Sequence, residues 1–173
     1  GVRLVGSEMC IRDRYDIVIL DSVLNSITSL EMQHNVLLAC NSLLKDNGTL
    51  ILGTRSLGKA TTTMKSKQAT NRKRDIEFLD DEKFSVTFRN GVWTKQRFTT
   101  KKQLQQELMP YFKDIETLGN ETRSNIYAIC KNPVRFSNEE YKKALNIEFN
   151  MTYPNGFKHN KHSELINTIL TNL

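Results

Sequence analysis

Two short apolar runs bracket a longer segment in which apolar residues recur at helical spacing. DIVIL, Asp16 to Leu20, is rich in β-branched residues and predicts a parallel strand covered on both faces. Thr28 and Glu31 stand at the spacing of a capping box, with Ile27 and Met32 placed for a hydrophobic staple. Met32, Val36, Cys40 and Leu43, flanked by Leu37 and Leu44, then follow a helical period. Asn47-Gly48 favours left-handed backbone and predicts the end of that helix. TLILGT, Thr49 to Thr54, reads as a second buried strand. Strand, helix and strand in so short a span predict a right-handed βαβ crossover. Ligands of such sheets bind beyond the carboxyl ends of the strands. The candidate rim is therefore Asp21, Ser22, Val23, Leu24 and Asn25 after the first strand, and Gly53, Thr54 and Arg55 after the second.

Downstream the pattern changes. Arg55 to Glu77 is basic and rich in Thr, Ser, Gln and Asn, which predicts a solvated loop or insertion. Its densest cluster is Arg72, Lys73 and Arg74. Two readings stand: a segment that contacts phosphates, or a charged loop with no partner. No aromatic residue is interleaved there, so base stacking has no platform. FSVTFRNGVWTKQRF, Phe84 to Phe98, alternates toward Asn90-Gly91 and predicts a β-hairpin with Phe88 and Trp93 as cross-strand neighbours.

Thr100 and Gln103 form another capping box, opening a helix with Leu104, Leu108 and Phe112 on one stripe. Ile115 to Leu118 and Asn125 to Cys130 read as two strands. Asn132-Pro133 marks a boundary. Beyond it, Ser137 with Glu140 caps a helix through Tyr141, Leu145 and Phe149. Glu164 to Leu173 predicts a short amphipathic helix.

Composition narrows the class. The chain has 173 residues, 38% hydrophobic and 25% charged, which suits one globular domain with a core. No apolar run approaches the roughly 18 residues that cross a bilayer. Charges at Arg3, Glu8 and Arg12 break any signal-peptide core, so the expected location is cytoplasmic with no membrane partner. The net charge of +6 permits a nucleic-acid partner without requiring one. Cys10, Cys40 and Cys130 lack paired spacing, and the last two lie in apolar patterns where cysteine acts as a small hydrophobe. No carboxylate or cysteine completes a zinc set with His159 and His162, so no metal site is expected.

YDIVILDSVLNSI, the helix ending LLKDNG, and TLILGTR resemble the fourth strand, following helix and fifth strand of class I S-adenosylmethionine-dependent methyltransferases. KQRFTTKKQL, the helix it opens and the two closing strands resemble the end of the same domain. The resemblance implies an α/β fold: the C-terminal half of a Rossmann-like methyltransferase sheet, parallel strands plus an antiparallel closing hairpin. A β-hairpin insertion and a helical tail would be added to it. It implies a domain over residues 15–131, with the basic insertion and hairpin at 55–98 and a helical extension at 132–173. The extension is similar to those of methyltransferase-like proteins of phages and mobile elements. Val5 to Arg14 resembles a translated sequencing-adapter remnant, so residues 1–14 are expected to be non-native.

By the resemblance, Asp21, Ser22, Val23 and Asn25 lie beside the cofactor, S-adenosyl-L-methionine. Its catalytic group and methyl acceptor are not assigned. The family's glycine-rich loop and the acidic residue ending its second strand have no match in this sequence. The Asp/Asn-Pro-Pro-aromatic turn of amino-methylating DNA enzymes is absent too. The expectation is a methyltransferase seen as a C-terminal fragment, inactive alone. The alternatives are a non-catalytic nucleic-acid-binding module that uses Arg72, Lys73 and Arg74, or a scaffold for protein contacts.

Overall fold

The first apolar run pairs with the second in parallel, as their spacing requires. β1 (Tyr15–Asp21) aligns with β2 (Leu44–Arg55) from Ile17 opposite Thr49 to Asp21 opposite Gly53. The structure is a computed structural model that describes residues 14–69, 76–81, 83–89, 91–153, 155–158 and 162–173. The adapter-like segment through Asp13, with Cys10, and the cluster Arg72, Lys73 and Arg74 lie outside the described residues, as do Asn90 and His159.

Between the strands come a single 3-10 turn, Leu24–Ser26, and helix α1 (Leu30–Ser42). The cap of α1 is Ser29 rather than Thr28, its hydroxyl accepting from the Met32 amide at 3.4 Å. Starting one residue later puts Met32 at the third helical position, so no reciprocal box forms. Glu31 falls instead in the first turn, where the helix dipole favours an acid.

The expected break at Asn47-Gly48 is not a helix end. α1 stops at Leu43 in right-handed backbone, and both residues lie within β2. The pairing of β1 with β2 is irregular between Tyr15 and Ile17. There a Cβ on Gly48 would stand 2.9 Å from Lys45 O and 3.0 Å from Tyr15 O. Close backbone approach, not positive φ, is what that glycine serves.

β2 is flanked on its other side by β7 (Asn125–Pro133), antiparallel from Thr49 opposite Lys131 to Arg55 opposite Asn125. β6 (Phe112–Leu118) closes the four-stranded sheet, ordered β1-β2-β7-β6. Phe112 thus begins a strand instead of ending the helix before it. That helix, α3 (Lys101–Leu108), carries the complete Thr100–Gln103 capping box. α4 (Asn138–Phe149) carries the complete Ser137–Glu140 box, and α5 (His162–Thr171) follows.

One face of the sheet carries the core. Leu20, Leu50, Leu52, Ile126 and Ala128 pack there with Leu37 and Leu38 of α1, Leu104 and Leu108 of α3, and Tyr141 and Leu145 of α4. Ile166 and Ile169 of α5 join the same cluster. Strand side chains alternate between faces. On the opposite face Ile17 and Ile19 are 57% and 66% exposed, and Tyr127 is exposed beside them. The expectation that β1 is covered on both sides is therefore not met. β1 is the terminal strand of its sheet among the described residues, and its outward isoleucines have no covering layer there.

Arg135 fastens the far end of α1. Its guanidinium donates to Asn41 O at 2.8 Å, Leu44 O at 2.7 Å and Asp46 Oδ1 at 2.7 Å. Arg14 reaches the same carboxylate at 2.9 Å. The two guanidiniums hold the Asp46 carboxyl below its ordinary value, chiefly through these hydrogen bonds.

The basic stretch is not a loop throughout. Leu57–Ala69 forms helix α2, with Ala60 buried. Thr61, Thr62 and Thr63 each turn a hydroxyl back onto the carbonyl four residues earlier, at 2.9 Å. Threonine's preference for local backbone partners is thus met inside the helix instead of in turns. A second sheet, ordered β3-β4-β5, joins Ile76–Phe78, Phe84–Arg89 and Val92–Arg97. Phe88 pairs with Trp93 in the register, and Gly91 turns with φ of 78°.

Candidate functional site

The rim forms where β1 and β2 end side by side. Asp21 is exposed and opposite Gly53. A Cβ on Gly53 would stand 2.1 Å from Asp21 Oδ1, so the carboxylate occupies the space glycine leaves. The next residue, Ser22, takes left-handed backbone (φ 58°). Its amide donates to Gly53 O at 2.9 Å, and its hydroxyl donates to Asp21 Oδ1 at 3.2 Å. Such backbone is uncommon outside glycine and costs about 1–3 kcal/mol. Here it swings the chain off the end of the sheet and leaves Asp21 and Ser22 facing outward.

The chain then turns inward. Val23 is half-buried against the core, and Leu24 and Asn25 are buried. The turn is held from α1: Gln33 Nε2 donates to Leu24 O and Ile27 O, both at 3.0 Å. Of the four expected cofactor positions, the structure brings Asp21 and Ser22 together at the surface. Val23 and Asn25 face inward, so Asn25 does not lie on the open rim where the sequence pattern put it. The reason is the 3-10 turn at Leu24–Ser26, which curls the segment back under the sheet end.

Beside the rim lies a small, partly open cleft lined by Asn25, Gln33, Thr54, Arg97, Thr99 and Glu107, with Leu24 and Leu104. Arg97, 7% exposed, leaves the end of β5 and meets α3. Its Nη2 donates to Glu107 Oε1 at 2.6 Å, and its Nη1 donates to Glu107 Oε2 at 3.1 Å and to Gln33 Oε1 at 3.2 Å. Two charges are thereby matched in a nearly bidentate pair. Gln33 passes the contact on to the turn after β1. Sequence reasoning did not single out Gln33, Arg97 or Glu107. The sequence marked none of them: Gln33 stands among Glu31, His34 and Asn35 in the polar first turns of α1, where no pattern tells the buried from the exposed.

Tyr111 is buried in the neighbouring core. Its hydroxyl is 2.5 Å from His34 Nδ1, and burial, with Glu107 nearby, pushes its pKa up to about 12. Cys40 and Cys130 are buried thiols, also pushed up to about 12 by burial. Among the described residues no group of three or more His, Cys, Asp or Glu side chains could hold a metal ion. No helix among them is long and apolar enough to cross a membrane.

No family model matches the chain, and no curated protein matches it. Among solved structures it is similar to the PH0226 protein of Pyrococcus horikoshii OT3, with a TM-score of 0.50 at 15% sequence identity. The likeness covers 69% of this chain and 52% of that one. The fold is Rossmann-like α/β. Identity so low speaks to the fold alone. The chain spans about half the length of the structure it matches.

Proposed function

We propose that residues 15–131 are the C-terminal half of a class I S-adenosylmethionine-dependent methyltransferase domain, with 132–173 a helical extension of it. One observation carries the reading. β1 runs parallel to β2, yet among the described residues it ends the sheet, with Ile17 and Ile19 exposed. Parallel strands are normally buried on both faces. An edge and face of this kind suit a further strand and a covering helix, which the other half of such a domain would provide. Coverage of only about half of the similar structure is consistent with that.

The rim residues fit part of the cofactor. An exposed carboxylate, seated over the glycine of the neighbouring strand, and a hydroxyl beside it suit its ammonium and hydroxyl groups. Asp21 and Ser22 would hold it, while Val23 and Asn25 shape the turn from within. The cofactor, when bound, supplies a methyl group activated by its sulfonium. The chain's part is then alignment and electrostatics. Asp21 is the residue placed to orient a nucleophile. The glycine-rich loop and the acidic ribose partner have no match in this sequence, so this chain alone holds half a cradle.

Calorimetric titration of S-adenosylmethionine tests the proposal. The 173-residue chain is expected to bind weakly or not at all, and the protein from the complete reading frame to bind saturably. Tight binding by this chain alone, or none by the complete protein, would refute it.

A nucleic-acid role is the second reading. It is favoured by α2, which turns Lys59 and Lys65 to solvent just ahead of Arg72, Lys73 and Arg74. Salt-dependent retention on DNA, weakened when those three become alanine, is its expected signature.

A further inference from the structure

Asp21, Gly53, Tyr127 and Leu118 are register partners in one row across all four strands of the sheet. Directly paired residues share a face, so this row lies on the open face, beside the row of Ile19. Glycines flank the tyrosine on both sides. A Cβ on Gly53 would stand 3.1 Å from Tyr127 Cε1, and one on Gly119 would stand 3.7 Å from its Cδ2. The ring thus lies against the space that both glycines leave, and Tyr127 is still 40% exposed. The point beside Cε1 is the one that Asp21 Oδ1 approaches to 2.1 Å. Carboxylate and ring are neighbours over Gly53, and both are open to solvent.

Among the described residues Asp21 forms no salt bridge; its carboxylate accepts from the Ser22 hydroxyl. The cation of the next row, Arg55, is held by its own register partner, donating from Nη1 to Asn125 Oδ1 at 3.0 Å. A carboxylate and the face of an aromatic ring have one preference in common, which is positive charge. An anion would be repelled by Asp21. A neutral apolar group would strip water from the carboxylate and give nothing back.

We propose that Asp21 and Tyr127 form a binding site for an organic cation, an alkylated ammonium or sulfonium. The carboxylate balances the charge, and the ring covers the carbons that carry it. Two sources share this chemistry: the cofactor of the proposed function, or a separate small amine. The site itself requires neither methyl transfer nor any residue outside this chain.

NMR titration of the 173-residue chain with trimethylsulfonium, against neutral dimethyl sulfide, tests the proposal. Trimethylsulfonium should shift the Ser22, Gly53 and Tyr127 amides saturably, and dimethyl sulfide should leave them in place. Tyr127→Leu should weaken the sulfonium about twofold to fivefold, the range of a cation–π contact at an exposed site. Tyr127→Phe keeps the ring and should bind as the wild type does. Asp21→Asn, a change at an exposed position, should also weaken binding. Equal response to sulfonium and sulfide, no saturable shift, or undiminished binding by Asp21→Asn overturns the proposal even if a tyrosine variant does not fold. In the complete protein, displacement of trimethylsulfonium by S-adenosylmethionine assigns the cation to the cofactor. Displacement by tetramethylammonium but not by S-adenosylmethionine keeps the site and removes the cofactor from it. Displacement by neither overturns the site.

Discussion

The Asp21 carboxylate fills the space that a side chain on Gly53 would need, with Oδ1 only 2.1 Å from where its Cβ would stand. The two residues are register partners at the ends of parallel strands, so the rim is shaped by one residue's lack of a side chain. Gly53→Ala must displace Asp21 and press on Tyr127, whose Cε1 lies 3.1 Å from the same point. Both are side-chain groups at an open face that can move aside. Denaturation should show a loss of about 1 kcal/mol, at the low end for overpacking. If the proposed function holds, S-adenosylmethionine affinity of the complete protein should fall at least about tenfold, equivalent to 1.4 kcal/mol. Unchanged affinity would remove Asp21 from the binding site.

The pairing of Arg97 with Glu107 predicts an asymmetry between its two partners. Glu107→Gln leaves a buried guanidinium without its counter-charge and should cost roughly 3 kcal/mol. Arg97→Met keeps an apolar stem beside Phe84, over which the guanidinium carbon sits 5.7 Å from the ring centre. It strands Glu107, whose side chain is 35% exposed and can be rehydrated, and the neutral Gln33 Oε1, but leaves no buried charge without its partner. Its cost should be nearer 1–2 kcal/mol. Urea denaturation that ranks the two variants the other way round would show that the pair is not what holds the hairpin to α3.

The Tyr141 hydroxyl ties the chain after β7 to α1. It donates to Asn41 Oδ1 at 2.6 Å and accepts from the Phe136 amide at 3.1 Å, while Asn41 Nδ2 donates to Tyr111 O at 2.9 Å. Tyr141→Phe leaves one buried acceptor and one amide without partners, so a loss of about 2–3 kcal/mol is expected. The denaturation midpoint should fall with its slope unchanged. A loss under about 0.5 kcal/mol, the range of ordinary surface changes, would mean that water replaces the hydroxyl.

Glu148 predicts a pH dependence. Burial raises its carboxyl above the ordinary 4.5. The folded chain therefore keeps this proton at pH values where the unfolded chain has released it. Stability contributed by this group is full below the unfolded value and declines as pH rises through 4.5 toward the higher folded value. Glu148→Gln should flatten that decline in urea midpoints measured across the window. Parallel wild-type and variant profiles would count against it.

Much of the chain was legible because its causes are local. The boxes at Thr100–Gln103 and Ser137–Glu140 satisfy their own backbone donors within four residues, and both form as expected. The hairpin is set by the alternation from Phe84 and by the turn glycine at Gly91. Where two local solutions lay one residue apart, the pattern could not choose between them. Thr28 and Ser29 are both good caps, and the chain uses Ser29. In α2 the threonines that read as a loop bond back onto their own helix.

By itself, the order of residues determined the strand–helix–strand crossover, the two capped helices, the hairpin and the rim at Asp21 and Ser22. These follow from periodicity, caps and turns, which act over a few residues. Only the tertiary structure decided that Ile17 and Ile19 lie bare, that Asn25 turns inward, and that Gln33, Arg97 and Glu107 converge beside the rim. Gln33 and Arg97 stand 64 residues apart in the chain. Neither residue alone carries a sign of the other. Burial and pairing across such distances depend on which surfaces the packed elements bring together.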